Sequence, residues 1–442
     1  MTIIKRTFVV FLVGLSALWL WADNVFTAGY AFFALRAALV NYTGIVAIGA
    51  MSVCMILALR SARVEAFLDG LDKTYRLHKW LGIAALAFAV AHWLWAKAPK
   101  WMVGWGWLTR PARRPAAEQT VAMFRFFQSQ RGLAEQIGEW AFYVAAVLLV
   151  LALLKRFPYR LFFKTHRLLA ITYLFLVFHS LVLMRFGYWS QPVGWVVVAL
   201  MAAGTVAAFI VLFRGVGRRR QVAGEIAELV YYRDNCVLKA RVALKGNWPG
   251  HKTGQFAFVT FDPDEGPHPF TISSVWRGDG KLDFHIKALG DYTRTLPDTL
   301  KAGAPVRIEG PYGCFDFAGA QPAQIWVAGG IGIASYLARL EELAQKPGDK
   351  NVDLFYCTRM PDEGFIGHIR TLTGQAGVRL HLLVLAKDGV LDAERLCREA
   401  PQWQSADFWF CGPVLFGQSL QRDLVARGLP GERFRYELFE MR

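Results

Sequence analysis

Nearly every long apolar run in this chain lies before Arg218. Runs near 7–22, 38–59, 77–97, 138–154, 166–185 and 193–213 approach the about 17–25 residues that cross a bilayer. The remainder reads as ordinary globular protein. At 442 residues the chain is too long for one ordinary domain, so two or three are expected. A hydrophobic content of 55% is high for a soluble protein of this size, and the excess sits almost wholly in the first half.

The net charge of +16 does not point to nucleic acid. Many basic residues flank the apolar runs, where they anchor helices to headgroups, and no basic strip carries a known reading motif. With the N-terminus inside, Arg60, Arg63, Lys73, Arg76 and Lys79 share one cytosolic loop. Lys155, Arg156, Arg160, Lys164 and Arg167 share the next, followed by Arg218, Arg219 and Arg220. That obeys the positive-inside bias. An outer 98–137 loop dissents, with Lys100, Arg110, Arg113, Arg114, Arg125 and Arg131. Lys5 and Arg6 precede the first run, but "LWLWADN" makes a poor cleavage site, so an uncleaved first span is expected. The six cysteines form no CxxC pair, which fits a soluble part in a reducing cytosol.

From Gln221 onward, short alternating runs such as "CVLKARVAL" and "FAFVTF" read as an antiparallel barrel. After about Ala318, "QIWVA", "SYLARLEELAQ", "VDLFYC" and "DFWFC" alternate strand and helix, as in a parallel α/β sheet.

The third and fifth runs each hold two histidines, His78 and His92, then His166 and His179. A titratable ring in hydrocarbon is costly and marks function. Separations of fourteen and thirteen residues correspond to a rise of about 20 Å each. Both runs cross in the same direction, so side by side they pair His78 with His166 and His92 with His179 at two depths. Imidazole is an axial ligand of haem iron, and helix bundles build such sites. Arg76, Lys79 and Arg167 could pair with propionates of an inner haem. With both axial positions filled, such haems pass single electrons. Thirteen residues leave His166 and His179 about 140° apart on an ideal helix. The fifth span therefore needs a distortion, or His166 sits at its frayed start. Singly, each histidine reads equally well as an interhelical hydrogen-bonding residue; the matched set points to haem.

Three soluble motifs supply electrons to such a pair of centres. "HPFTISS", His268 to Ser274, has aromatic and hydroxyl groups suited to a flavin ring, or is a strand rim. Gly290-Asp291-Tyr292-Thr293 follows a strand and opens a helix, where amides favour a pyrophosphate or simply cap the helix. "VAGGIGIAS" places Gly329, Gly330 and Gly332 between strand and helix, a dinucleotide fingerprint with Ser335 at its third position. Thr358 and Arg359 end the next strand and suit a 2′-phosphate, although Asp362 and Glu363 leave NADH open. Cys411, Gly412 and Pro413 fall at the sheet's carboxyl edge, where ligands bind; a buried structural cysteine reads equally well.

Together and in this order, the paired histidines, "HPFTISS", "GDYT", "EGPYG", "GGIGIA" and "CGP" resemble the NADPH oxidase / ferric reductase family of transmembrane flavocytochromes. The resemblance implies a membrane all-α six-helix bundle over 1–216 holding two haem b. It implies a ferredoxin-reductase-like module beyond it: an FAD-binding β-barrel over 217–318 and an NAD(P)H-binding α/β parallel-sheet domain over 319–442. By this resemblance His268, Pro269, Phe270, Thr271 and Ser274 line the flavin, and Gly290 to Thr293 hold its phosphates. Gly330 and Gly332 take the dinucleotide, Cys411 lies near the nicotinamide, and Phe439 stacks on the flavin or is a plain terminal strand residue. Thr271, Cys411 and Phe439 are then the catalytic positions. Arg36 stands where relatives put a basic residue beside the outer haem; Ala96 stands where eukaryotic oxidases often add a histidine.

The implied protein is a multi-pass oxidoreductase of the inner membrane with cytoplasmic FAD and NAD(P)H domains. It passes electrons from NADPH, or NADH, through FAD and two haem b to an outer acceptor. That acceptor is O2 giving superoxide, a ferric chelate, or a periplasmic protein. The rival from another class is a non-enzymatic membrane cytochrome or proton-conducting protein, against which the dinucleotide motifs argue.

Overall fold

The structure, a computed structural model, describes residues 2–23, 32–109, 119–154, 156–213 and 215–437. These divide into two compact units, one of residues up to 68 and 73–216, the other of 69–72 and 217 onward.

The first unit is helical: α1 (Thr2–Ala22), α2 (Phe32–Leu57), the short α3 (Ala62–Leu68), α4 (Leu71–Gly104), α5 (Ala122–Leu153), α6 (Tyr159–His166), α7 (Leu168–Leu183) and α8 (Pro192–Leu212). Six segments among the described residues are long and apolar enough to cross a membrane, α6 and α7 together forming one. Trp140, Val147 and Phe213 remain exposed, as expected of faces that meet lipid. Small residues set the helix spacing inside. A Cβ on Gly204 of α8 would lie 2.2 Å from the Tyr173 hydroxyl oxygen. That hydroxyl donates to Met201 O at 3.2 Å and lies 2.8 Å from Ser52 Oγ, tying α7 to α8 and α2.

The expected 98–137 loop is much shorter in the structure. Helix α4 continues to Gly104 and α5 begins at Ala122, so Lys100, Arg125 and Arg131 are helical residues. Arg110, Arg113 and Arg114 lie outside the described residues. The physical reason is that aromatic residues persist beyond each apolar run, in "WLWAKAPKWMVG" and "MFRFF", and extend both helices.

The second unit begins with β1 (Gln221–Tyr232), β2 (Val237–Leu244), β3 (Phe256–Thr260), β4 (His268–Thr271), β5 (Lys281–Lys287), α9 (Asp291–Thr299) and β6 (Pro305–Tyr312). The strands pair antiparallel in the order β4-β3-β6-β1-β2-β5, and a bridge from Ile272 to Phe284 joins the two edges. Val242, Ala257, Ile272, Phe284 and Ile308 fill the interior. Pro269 is accommodated on an edge strand, where a missing amide costs nothing.

Then follow β7 (Ala323–Gly329), α10 (Ala334–Gln345), β8 (Asn351–Thr358), α11 (Glu363–Gln375), β9 (Arg379–Val384), α12 (Leu385–Asp388), α13 (Ala393–Glu399), β10 (Ala406–Cys411), α14 (Val414–Ala426) and β11 (Phe434–Glu437). This sheet is parallel, in the order β11-β10-β7-β8-β9. Every residue of β7 and β10 is buried, as expected of strands covered on both faces. The chain leaves β7 in one direction and returns on its other side at β10. Their carboxyl ends therefore form the switch point at which such sheets bind ligands.

Candidate functional site

The four membrane histidines meet as two pairs. Ring centres of His78 and His166 are 5.9 Å apart, and those of His92 and His179 are 6.1 Å apart. Two imidazoles bound to one metal ion through bonds of about 2 Å place their ring centres about 6 Å apart. The distortion required of the fifth span is present: α6 ends at His166 and α7 begins at Leu168, with Arg167 between. His166 also stacks on Phe162, centres 4.9 Å apart and planes 26° off parallel.

Hydrogen bonds fix the tautomers. His78 Nδ1 donates to Cys54 O (3.0 Å), His92 Nδ1 to Val40 O (2.9 Å) and His179 Nδ1 to Ala134 O (2.8 Å). A carbonyl only accepts, so Nδ1 carries the proton and the lone pair is left on Nε2, the arrangement typical of metal-bound histidine. Glycines give the outer pair its room. A Cβ on Gly138 would fall 1.9 Å from His179 Nδ1, and one on Gly44 would fall 3.2 Å from His92 Nδ1. The donor atoms and the cradle around them fit two bis-histidine haem sites. Sequence reasoning missed both glycines, since one glycine in an apolar run carries no signal of what it faces.

Arg36 has a specific set of partners. Its Nε donates to Trp95 O at 3.1 Å and its Nη2 to Ala96 O at 3.2 Å, one turn beyond His92 on α4. Pro99, inside that helix, has no amide to offer Trp95 O. The guanidinium supplies the missing donor.

In the barrel, the two flavin motifs converge. The His268 ring stacks on Tyr292, centres 4.6 Å apart and planes 22° off parallel. Burial pushes the His268 pKa down to about 4, so the ring is neutral at physiological pH. Thr271 is buried in edge strand β4, opposite Phe256, and Phe270 lies opposite Ala257. Ser274 Oγ accepts from Asp283 N at 3.0 Å, which ties it to β5. Thr293 Oγ1 accepts from Leu289 N and Gly290 N, both at 3.0 Å, and so caps α9. The first-turn amides from Asp291 onward have no intrahelical partner by construction, which suits a phosphate.

At the switch point, the dinucleotide loop presses against the end of β10. Gly330 has φ +57°, a left-handed conformation that favours glycine. A Cβ on Gly332 would sit 2.0 Å from Cys411 O, and one on Gly329 would sit 2.7 Å from Pro413 Cδ and 3.2 Å from Gly412 Cα. Cys411 is fully buried, with Sγ 3.3 Å from Ser335 Oγ, which donates to Glu437 Oε2 at 2.6 Å. Burial, followed by the Glu437 charge, raises the thiol pKa well above its ordinary value. Sequence reasoning singled out Ser335 and Cys411 but missed Glu437. Thr358 is buried, its hydroxyl donating to Met360 O at 3.1 Å, while Arg359 is exposed at the end of β8. Asp362 caps α11, accepting from Phe365 N (2.9 Å) and Asp234 N (3.2 Å). Phe439 lies outside the described residues.

Residues 43–177 match the family model described as ferric reductase like transmembrane component, and residues 222–315 match that of an FAD-binding domain. The chain has the NADPH oxidase/ferric reductase architecture. It is an oxidoreductase with a ferredoxin-reductase-like flavin and nicotinamide module.

Among curated proteins, it is similar to a flavohemoprotein of Pseudomonas putida, 26% identical over 202 residues, 42% of this chain and 50% of that one. It is also similar to the reductase component of propane 2-monooxygenase from Rhodococcus jostii, 24% identical over 206 residues, 42% of this chain and 55% of that one. The chain thus spans about half the length of the curated relatives it matches. Among solved structures, flavohemoglobin from Malassezia yamatoensis aligns with 18% identity and a TM-score of 0.48, covering 90% of this chain and 96% of that one.

Proposed function

We propose that this protein carries electrons across the inner membrane, from cytosolic NADPH through FAD and two b-type haems to a one-electron acceptor outside, molecular oxygen giving superoxide. The observation that carries the reading is the two histidine pairs, with ring centres 5.9 and 6.1 Å apart, whose α4 members His78 and His92 are spaced by about 20 Å along that helix. Bound FAD would supply the conversion of a two-electron hydride into single-electron transfers, and the haems the single-electron steps themselves.

The chain's own residues do the rest. His78 and His166 hold the inner position and His92 and His179 the outer one, with Nδ1–carbonyl bonds fixing the rings of His78, His92 and His179 for ligation through Nε2. His268 and Tyr292 brace one another at the flavin site, with Thr271 beside them on β4. Gly330 and Gly332 bring the backbone close to the dinucleotide. Arg359 offers its charge to a 2′-phosphate, whereas both oxygens of the buried Asp362 carboxylate already accept from backbone amides; both favour NADPH. Cys411 keeps its proton beside the nicotinamide, held by Ser335 and Glu437.

Purified protein with FAD, reduced anaerobically by NADPH and then mixed with air, tests the reading. The b-type haem bands should rise with NADPH and vanish with oxygen. Bands that rise but persist in air would move the acceptor to a ferric chelate or a protein. Bands that never rise would remove the link between flavin and haem.

A further inference from the structure

We propose that Gly138, and more weakly Gly44, are positioning residues that set the outer histidine pair by letting each ring reach a helix carbonyl. This rests on reading His92 and His179 as axial ligands. In a helix the carbonyl of residue i already accepts from the amide of residue i+4. A side chain that adds a second hydrogen bond to that carbonyl passes close to residue i+4, and its line of approach decides whether a Cβ there obstructs it. Both outer ligands meet this situation, and in both the i+4 residue is glycine. His92 bonds Val40 O at 2.9 Å, with Gly44 four residues on. His179 bonds Ala134 O at 2.8 Å, with Gly138 four residues on.

The inner pair shows that this depends on the line of approach: His78 bonds Cys54 O, which also accepts from Ala58 N at 3.1 Å, with an alanine at the residue four further on. The glycines at 44 and 138 clear the path where the ring would otherwise meet that carbon. They are also unequal. A Cβ at 138 would fall 1.9 Å from Nδ1 and 2.3 Å from Cε1 of His179, too close for any small adjustment. A Cβ at 44 would fall 3.2 Å from His92, which a slight shift of the ring relieves. The atoms obstructed at 138 belong to a rotatable side chain, so α5 keeps its place and the ring swings away.

The test uses full-length protein, with haem counted per protein and per FAD, and the low-spin ferric signals resolved by low-temperature EPR. In Gly138→Ala the haem-to-protein ratio should halve, with the inner signal intact and FAD content unchanged. In Gly44→Ala both haems should remain, with the midpoint potential of one displaced. Gly132→Ala, on the same helix with nothing within 4 Å of the added carbon, should match the wild type. Full haem content and two unaltered signals in Gly138→Ala would overturn the inference. Loss of both signals would overturn it too, in favour of a general packing role. Failure of the haem reading itself looks different: His179→Leu would then retain the wild-type haem content.

Discussion

Ser273 Oγ lies 2.7 Å from His285 Nδ1, joining the segment just after β4 ("HPFT") to β5, the strand that leads into "GDYT". The serine hydroxyl spends its one proton on Asp283 O at 3.0 Å. The short contact must therefore be donated by His285 Nδ1, leaving its buried Nε2 unprotonated and without a hydrogen-bond partner. Adding a proton there would bury an unsatisfied cation.

This geometry has a pH consequence. Burial, reinforced by the charges of Lys239 and His368, holds the His285 pKa down to about 3. An unfolded histidine titrates near 6.5, so below that the unfolded chain binds a proton that the folded one refuses. The stabilisation is complete above about pH 6.5 and is lost as pH falls toward 3. It is worth about 1 kcal/mol between about pH 7 and pH 5.5. Thermal unfolding followed by FAD fluorescence should show this acid slope. His285→Leu should flatten it, and an unchanged slope would mean that other groups carry it.

Gly330 and Gly332 should respond differently to alanine. At Gly330 the added carbon meets nothing within 4 Å, and the cost is the left-handed backbone alone, about 1–2 kcal/mol. At Gly332 it meets the Cys411 carbonyl, backbone that no rotamer change can move, so the cost reaches about 3 kcal/mol. Gly330→Ala should lower the melting temperature slightly and raise the NADPH concentration needed for flavin reduction without abolishing it. Gly332→Ala should abolish that reduction. Equal effects would contradict the separate roles.

Much of this was legible in sequence because periodicity and chemistry agreed. Fourteen residues is close to four helical turns, so His78 and His92 announced themselves as one face of one helix. His166 and His179 did not fit an ideal helix, and that misfit called for a distortion or a frayed start, which the structure resolves as a break at Arg167. The length of α4 was not legible, because Pro99 reads as a helix stop until Arg36 is seen covering the freed carbonyl. Gly44, Gly138 and Glu437 were hidden for a similar reason. Each acquires meaning only from a residue distant in sequence and adjacent in space.

Cys411 should be chemically silent. Its thiol is fully buried and its pKa is raised by burial and by Glu437, so little thiolate is available to react. Iodoacetamide at neutral pH should modify the half-buried Cys236 and Cys314 in the folded protein and leave Cys411 untouched until denaturant is added. Mass spectrometry reads this directly. Rapid labelling of Cys411 without denaturant would show that the β10 edge opens in solution.

Arg36 and Pro99 should be energetically coupled. Proline at 99 deprives Trp95 O of its helical donor, and Arg36 Nε replaces that donor at 3.1 Å. In the wild-type background, Arg36→Leu leaves that carbonyl unsatisfied in an apolar setting, a penalty of about 1–3 kcal/mol. In a Pro99→Ala background the amide of residue 99 is restored, Trp95 O has its own donor, and most of that penalty should disappear. A double-mutant cycle on thermal stability should therefore give a coupling of about 1 kcal/mol or more. The outer haem signal offers a second readout, since the carbonyl lies one turn beyond His92: Arg36→Leu should broaden it, and adding Pro99→Ala should sharpen it again. Additive effects of the two substitutions would mean that the guanidinium is held there for its charge and not for the carbonyl.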